Sequence, residues 1–226
     1  MKRSQINNTM RQVDAFLHQH QFHLPPFAYW TPEEWGRRGE EVREIAERGL
    51  GWDITDFGQE DYQRIGLFVF TLRNGQPGGQ GKNYCEKVLV VGVDQVTPMH
   101  FHWSKTEDII NRGGGELAVQ LYNAAADETL ADTPVQVSMD GERRTLDAGT
   151  TVVLKPGESI TLEPRCYHKF WGVGERVLVG EVSKVNDDHT DNRFFEPVGR
   201  FPAIEEDEAP LHLLVNDYER YYRGAR

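Results

Sequence analysis

The chain has 226 residues, of which 38% are hydrophobic, and its formal net charge is −11 at pH 7. This composition is typical of a globular domain with its own core, and the charge argues against nucleic acid, because phosphate binding needs a basic surface. No run approaches the roughly 20 consecutive apolar residues of a membrane span. The first residues lack the apolar stretch of a secretory signal, so we expect a cytoplasmic protein with Cys85 and Cys166 as free thiols. A neutral or cationic small molecule, or a sugar, is the expected partner.

The first fifty residues have the pattern of helices. Apolar residues recur at helix spacing after a possible cap at Ser4, namely Ile6, Met10, Val13, Phe16 and Leu17. Thr31-Pro32-Glu33-Glu34 predicts a second helix with a capping box, and Gly49 is expected to end it. Its apolar face would contain Trp35, Val42, Ile45 and Ala46. We therefore expect residues 1–51 to form a helical extension packed on a domain of residues 52–226, as a single structural unit.

From about residue 52 the apolar period changes from 3.6 to 2, which indicates strands. Asp140-Gly141 predicts a tight hairpin, and the three glycines 113–115 predict a tight turn between two strands. Many short strands with turns about every 8 to 12 residues predict a mainly β fold, a sandwich or a jelly-roll barrel. The segment "LHLLVNDYERYY" returns to a helical pattern and predicts a short C-terminal helix.

His100 and His102 are two positions apart in a predicted strand, so their side chains lie on one face of it. Two buried imidazoles are costly unless something uses their lone pairs, and a divalent cation does so. Glu107 is predicted as a third ligand just past the strand, with Asp108 as the alternative carboxylate, and His168 as the fourth ligand from a distant strand. The other histidines fall in helical or loop segments and are expected at the surface: His18, His20, His23 and His212.

The spacing of these residues follows a two-part motif. Gly92…His100-x-His102-x4-Glu107-x6-Gly114, followed by Gly149…Pro156-Gly157…His168, resembles the signature of the cupins. The spacing departs modestly from that signature in the glycine turns, which leaves the metal ligands in place. The resemblance implies a cupin jelly-roll barrel with a bound divalent metal ion. Three histidines and a glutamate suit Mn²⁺, Fe²⁺, Zn²⁺ or Ni²⁺.

Four segments extend the resemblance over most of the chain: "TPEEWGRRG", "HFHWSKTEDIINRGGGEL", "SITLEPRCYHKFWG" and "EVSKVNDDHTDNRFF". Together they resemble the D-lyxose isomerase family of sugar ketol-isomerases. This implies interconversion of unphosphorylated aldoses and ketoses, D-lyxose with D-xylulose and D-mannose with D-fructose, with a divalent metal that is usually Mn²⁺. Such a reaction moves a proton between C1 and C2 of the open-chain sugar through an enediol.

Two residues are candidates for that proton transfer. Glu181 lies among apolar strand residues and is the predicted base, although it could also be a solvated residue on the outer face. Lys105 follows the histidine pair closely and could donate to a sugar oxygen, although a surface lysine is the alternative. Glu205 or Glu206 could also serve if the acidic segment around them covered the barrel mouth.

The polar segment "NDDHTDNRF" after a predicted strand is the candidate sugar-binding loop. Its expected sugar contacts are Asp188, His189, Asp191 and Arg193, with Trp103 as an apolar wall. We also expect a homodimer, since small barrels of this kind tend to pair. Two alternative functions stay open from the sequence, an Fe²⁺ dioxygenase of the same fold and a non-catalytic sugar-binding module. A phosphosugar isomerase is disfavoured, because no basic cluster or glycine-rich helix start is present to hold a phosphate.

Overall fold

The structure is a computed structural model that describes residues 1–222 and 224. Helices fill the first fifty residues. Helix α1 spans Arg3–Gln19, α2 spans Pro32–Trp35 and α3 spans Arg43–Glu47, with 3-10 turns at Pro26–Tyr29 and Glu40–Val42. Because α1 begins at Arg3, Ser4 lies inside the helix and the prediction of Ser4 as its cap is wrong; the Ser4 hydroxyl instead donates to Asp207.

The predicted start of the second helix is confirmed, but its length is wrong. The backbone N–H of Glu34 donates to Thr31 Oγ1 at 3.2 Å, and the N–H of Thr31 donates to Glu34 Oε2 at 2.7 Å, which completes the capping box. The helix then ends at Gly36 instead of continuing to Gly49. Glycine lowers helix stability by about 1 kcal/mol relative to alanine, and Gly39 has an extended, non-helical backbone. These two glycines divide the predicted helix into short pieces.

The remainder of the described chain is mainly β, as predicted. The strands are β1 Gly51–Thr55, β2 Leu67–Asn74, β3 Tyr84–Val91, β4 Thr97–His102, β5 Glu107–Ala124, β6 Leu130–Ala131, β7 Val135–Met139, β8 Glu142–Leu146, β9 Thr151–Leu154, β10 Ser159–Leu162, β11 Cys166–Lys184 and β12 Asn192–Phe194. A 3-10 turn at Val215–Asp217 leads into the short C-terminal helix α4, Tyr218–Tyr221.

All pairs of these strands are antiparallel. The hydrogen-bonded path runs β1-β2-β3-β11-β5-β10-β7-β8, and β4 pairs with both β11 and β12. Within the described residues, this path does not return from β8 to β1. The mainly β fold with N-terminal helices and a short C-terminal helix is therefore confirmed, whereas the division at residues 51 and 52 stays a prediction.

The glycines 113–115 do not form the predicted turn. They lie inside β5, opposite the segment of β11 where the pairing register shifts between Val173 and Val177. Gly114 has a φ of +86°, and a Cβ there would lie 2.1 Å from the carbonyl oxygen of Arg176. Glycine is required because the two long strands come too close for any side chain at this point.

Two apolar layers cover the two faces of the sheet. Phe68 and Phe70 of β2 face outward and pack under α1, whereas Val69 between them faces the interior with Leu89 and Val179. This alternation is the period of two expected for a strand. The interior side opens into the cavity that contains the polar cluster described below. None of the helices in the described part of the chain has the length and apolar character needed to cross a membrane.

Candidate metal centre and active site

Three imidazoles converge on one point inside the sheet. His100 and His102 come from β4 and His168 from the neighbouring β11, where it is paired directly with His100. One ring nitrogen from each lies within 4.8 Å of the others, and all three side chains are buried. The strand period of two places the first pair, and the pairing of β4 with β11 supplies the third.

Each of these rings is oriented by a backbone carbonyl. His100 Nδ1 lies 2.8 Å from the oxygen of Pro98, His102 Nδ1 lies 3.1 Å from that of Asp191, and His168 Nδ1 lies 3.0 Å from that of Cys166. A carbonyl accepts only, so each Nδ1 carries the proton and each Nε2 keeps a lone pair. Metal-binding histidines are held in this way.

The electrostatic environment favours the neutral form of His100 and His102. Burial lowers the pKa of His100 well below its ordinary value, and the neighbouring His168 and His102 lower it further. Burial and the Lys105 ammonium lower the pKa of His102. Neutral imidazoles with free lone pairs are the form in which histidine binds a metal.

Glu107 lies against two of the three histidines. Its Oε1 is 3.3 Å from His102 Nε2 and 3.1 Å from His168 Nε2. Ligand atoms about 2.1 Å from a common ion and at right angles to each other are about 3.0 Å apart. The three histidine nitrogens therefore form a group that can hold a metal ion, and the distances of Glu107 from two of them are compatible with a carboxylate ligand beside them. Glu107 is the first residue of β5 and lies opposite Ser183 of β11, so it lies in the sheet and does not fold back from a loop.

Glu181 forms the second part of the site, between two buried lysines. Lys105 Nζ lies 2.8 Å from Glu181 Oε1 and 2.8 Å from Glu107 Oε2, so this one ammonium joins the two carboxylates. Lys87 Nζ lies 3.1 Å from Glu181 Oε1 and also donates to Asn186 Oδ1 at 2.7 Å. Glu181 is 5% exposed, so the solvated outer position, the alternative for this residue, is wrong, and the surface position for Lys105 is wrong too.

The charges in this cluster fix each other's protonation. Burial alone would raise the pKa of Glu181, but Lys105 and Lys87 lower it below the usual range. Burial would likewise raise the pKa of Glu107, and Lys105 and His102 lower it well below the usual range. For Lys105, burial opposes the charge, whereas Glu107 and Glu181 raise its pKa. The cluster therefore contains two carboxylates and a permanent ammonium at neutral pH.

A cavity of about 50 Å³ lies over these groups. Apolar side chains from five strands and one loop form part of its wall, among them Phe57, Val69, Leu89, Ile109, Phe170 and Phe194. The polar lining contains the three histidines, Glu107, Glu181, Lys87 and Lys105, together with Thr97, Asp188, Asn192 and Arg200. Phe170 is buried and lies at this surface.

Several residues predicted for the site lie elsewhere. Asp108 accepts a hydrogen bond from Thr161 and does not line the cavity, because it alternates with Glu107 along β5 and so lies on the other face. Glu206 pairs with Arg3, and Glu205 pairs with Lys2. The acidic segment therefore holds the start of α1 and does not cover the cavity.

Of the predicted sugar-contacting residues, one lines the cavity and the others lie outside it. Asp188 lines the cavity. Trp103 is 40% exposed and packs on Phe101 outside the cavity, and Arg193 pairs with Glu128, also outside it. His189 is exposed and lines a second, separate cavity.

Asp191 contacts residues of the site from outside the cavity. Its carboxylate accepts from the backbone N–H groups of Ser104 and Lys105 at 2.8 and 3.1 Å, and its carbonyl oxygen contacts the His102 ring. It does not line the cavity. The loop between β11 and β12 thus positions Lys105 and His102, which the sequence pattern could not indicate.

Four polar cavity residues were not named in the sequence predictions: Lys87, Thr97, Asn192 and Arg200. Lys87 could have been found, because a lysine between Cys85 and Leu89 in a buried strand carries the same signal that identified Glu181. Of the histidines expected at the surface, His18 and His23 are exposed, whereas His20 and His212 are half-buried. His212 stacks on Trp52, with ring centroids 6.0 Å apart.

Comparison with known proteins gives a consistent picture. The model of the D-lyxose isomerase family matches residues 1–218. The D-lyxose/D-mannose isomerase of Serratia proteamaculans is 51% identical over 227 residues, which cover 98% of this chain and 99% of that protein. That of Escherichia coli O157:H7 is 48% identical over 227 residues, covering 98% and 100%. The L-ribose isomerase of Cellulomonas parahominis superposes with a TM-score of 0.62 at 16% identity, over 91% of this chain and 98% of that one, and shares the fold.

Proposed function

The chain belongs to the D-lyxose isomerase family of sugar ketol-isomerases, and on that premise we propose that it converts D-lyxose to D-xylulose and D-mannose to D-fructose. The observation that carries the proposal is the pairing of a buried carboxylate, Glu181, with a three-histidine centre in one cavity. Family membership favours this reaction over the dioxygenase and the non-catalytic module.

His100, His102, His168 and Glu107 would hold the metal ion. When bound, a divalent ion supplies a Lewis acid that polarises the sugar carbonyl and stabilises negative charge on its oxygen. The orientation of each Nδ1 toward a carbonyl supports this assignment. We propose Mn²⁺ as the resident ion, with Zn²⁺, Fe²⁺ and Ni²⁺ as the alternatives that the same ligands accept.

Glu181 is the proposed base. As a carboxylate it can take the proton from C2 of the open-chain aldose and return it to C1 of the enediol. The hydroxyl proton of O2 passes to O1 in the same conversion, which leaves the carbonyl at C2 and gives the ketose. Lys105 and Lys87 hold this carboxylate in place and keep it unprotonated. Lys105 is also placed to donate an N–H to a sugar oxygen, since its ammonium lies between Glu181 and the ligand Glu107. The apolar wall keeps bulk water away from the enediol.

The remaining features are proposed on more general grounds. The two cysteines are free, as predicted, which supports a reducing, cytoplasmic location. For the homodimer, Tyr84 and Val182 are 42% and 43% exposed on the adjacent strands β3 and β11. They offer an apolar patch on the outer face of the sheet. Light scattering on the purified protein tests this assembly, and a monomer mass at micromolar concentration would reject it.

The function is tested by ketose formation from D-lyxose and D-mannose with the purified protein and with Glu181→Gln. The change keeps the size of the side chain but removes the proton acceptor. We expect kcat to fall by about 100- to 10,000-fold, the usual contribution of a general base.

Glu175→Gln is the matched control, because Glu175 is exposed in the same strand and should leave kcat unchanged. Metal content and melting temperature are measured for all three proteins. Absence of ketose from either sugar with the wild-type protein would reject the proposed reaction. Equal kcat for Glu181→Gln and wild type would reject Glu181 as the base.

A further inference from the structure

Three buried side-chain polar atoms lack a hydrogen-bond partner among residues 1–222 and 224: His168 Nε2, Thr97 Oγ1 and Arg200 Nη1. All three residues line the same cavity. Leaving a buried polar group unpaired costs free energy, so unpaired groups gathered in one cavity indicate a ligand that pairs them. The first is accounted for by the metal centre. The other two have no role in the proton transfer.

Thr97 faces the cavity because of an irregularity in β4. His100 pairs with His168 and Thr97 pairs with Phe170, so β4 advances three residues while β11 advances two. This bulge rotates the strand and brings Thr97 to the same face as His100, although their odd spacing would otherwise separate them. The side chain is 2% exposed, and none of residues 1–222 and 224 offers its hydroxyl a hydrogen-bond partner, which leaves it available to a molecule in the cavity.

Arg200 is fixed by two carboxylates. Its Nη2 pairs with Asp53 on β1 and lies 3.2 Å from Asp188 Oδ2, and its Nε donates to Asp188 Oδ1 at 3.3 Å. Both acids therefore engage the Nε and Nη2 side of the guanidinium and leave Nη1 free. A guanidinium held in this way presents its remaining N–H groups in a fixed direction.

The ion pairs of Arg200 with Asp53 and Asp188 also lie between two cavities. Asp188 lines both the cavity of about 50 Å³ over the histidines and a second cavity of about 690 Å³, whose wall contains Asp53. The smaller space has room for only a few water molecules. An open-chain sugar with C1 and C2 at the metal and Glu181 must extend away from them, and Arg200 with its two acids stands between the sugar and the larger cavity.

We propose that Thr97 and Arg200 bind the hydroxyl groups of the sugar that do not react, and so determine which sugars are accepted. Arg200 donates Nη1–H to the terminal hydroxyl and closes the catalytic cavity against the larger one. Thr97 pairs with a hydroxyl on C3 or C4, nearer the metal. This inference rests on the proposed isomerase function and deepens it, because it concerns specificity at the same site.

The test compares D-lyxose with its 3-deoxy, 4-deoxy and 5-deoxy forms, in wild-type protein and in Thr97→Val, Arg200→Lys and Thr161→Val. A hydrogen bond to the cavity wall makes the wild-type kcat/KM fall when its hydroxyl is absent, by about 10-fold for a neutral partner and up to about 100-fold for a charged one. The penalty for each deoxy sugar is the ratio of kcat/KM for D-lyxose to kcat/KM for that sugar. We expect the 5-deoxy penalty to fall toward 1 in Arg200→Lys. In Thr97→Val, the 3-deoxy or the 4-deoxy penalty should fall toward 1. Thr161 is hydrogen-bonded to Asp108 outside the cavity, so its valine variant should keep every wild-type penalty.

Stability gives an independent readout. Thr97→Val has almost the same shape and removes an unpaired hydroxyl, so the sugar-free variant should melt at the same temperature as wild type or higher. Metal content should match wild type in both cavity variants. If Arg200→Lys does not fold, the deoxy-sugar comparison in Thr97→Val alone tests the inference.

The outcomes separate this inference from the function on which it rests. Wild-type protein that forms no ketose from D-lyxose overturns the function. Wild-type protein that forms ketose, with deoxy penalties unchanged in Thr97→Val and Arg200→Lys, overturns the roles of these two residues alone. A lower melting temperature for Thr97→Val would show that its hydroxyl is already paired within the protein, and would overturn the role of Thr97.

Discussion

At the scale of single residues, the site combines groups whose charges are fixed by their neighbours. Glu181 would be a poor carboxylate in this buried position without Lys105 and Lys87, since burial favours the neutral acid. The two lysines reverse that preference. The result is a buried carboxylate that is deprotonated at neutral pH, at the cost of some proton affinity.

Lys87→Met should therefore change the pH dependence of the reaction. Lys87 lowers the pKa of Glu181, so its removal raises that pKa, and Glu181 is protonated at higher pH than before. The acidic limb of the kcat/KM profile should move to higher pH, by an amount read from the profile. Lys184→Met, an exposed lysine on β11, is the control. An acidic limb at the wild-type position in Lys87→Met would contradict the assignment of that limb to Glu181.

The two cysteines provide a second prediction at this scale. Cys85 is fully buried, and burial raises the pKa of its thiol to about 12. Because alkylation requires an accessible thiolate, the native protein should resist iodoacetamide at pH 8. Mass spectrometry should find no label on Cys85 under native conditions and two labels per chain after denaturation. Labelling of Cys85 in native protein at the denatured rate would contradict its burial.

At the scale of elements, strand period and strand pairing account for what the sequence could and could not reveal. The period of two predicts that His100 and His102 share a face, and it applies because β4 is regular between them. The same rule fails for Thr97, because a bulge in the pairing of β4 with β11 lies between Thr97 and His100. Pro98 in that segment is a local signal of an irregular strand, but it does not indicate which way Thr97 faces. Arg200 lies in irregular chain after β12, so no periodicity could place it near the histidines.

The long strands show the same limit. Glycines 113–115 look like a turn in sequence, and only the close approach of β11 explains why they lie within a strand. Local pattern identified strands on both sides but could not distinguish a turn from a close crossing. The histidine cluster was predictable because its motif is local in each half, whereas the lysine and arginine partners depend on contacts between distant strands.

The close approach of β5 and β11 at Gly114 gives a prediction at this scale. Gly114→Ala should destabilise the protein, because the added Cβ would meet the Arg176 carbonyl and the residue has a positive φ. Gly174→Ala is a matched control with a φ of +78° and open space around it. The control should cost about 1 to 2 kcal/mol for the backbone alone. Gly114→Ala should cost about 1 to 3 kcal/mol more, from overpacking.

Urea unfolding of the two variants measures the difference. Equal losses of stability would mean that the backbone conformation accounts for the whole effect. The backbones of β5 and β11 would then not approach each other at Gly114 as closely as described.

At the scale of the whole molecule, a buried ion-pair cluster joins the two ends of the described chain. Arg3 at the start of α1 is fully buried and pairs with Asp217 and Glu206, both more than 200 residues away in sequence. Helix α1 is thereby attached to the segment before α4 while its apolar face covers β2 and β3. The ends of the chain thus help to hold the helical layer on the sheet.

Arg3→Met should be strongly destabilising, because it leaves buried Asp217 without its partner. Breaking a buried pair in this way costs about 3 to 5 kcal/mol. Arg43→Ala removes an exposed arginine paired with Glu40 and should cost about 0 to 1 kcal/mol. Both are measured by urea unfolding at pH 7, and similar small losses for the two variants would contradict the structural role of Arg3.

The central claim is that the three histidines and Glu107 hold a divalent metal ion on which sugar isomerisation depends. The most direct test is ketose formation from D-lyxose by protein stripped with a chelator and then reloaded with Mn²⁺, Zn²⁺, Fe²⁺ or Ni²⁺, with metal content measured at each step. We expect turnover to disappear with the metal and to return with at least one ion at about one ion per chain. In His168→Ala, reloading should restore neither full metal content nor turnover. Undiminished turnover in protein shown to contain no metal would contradict the account.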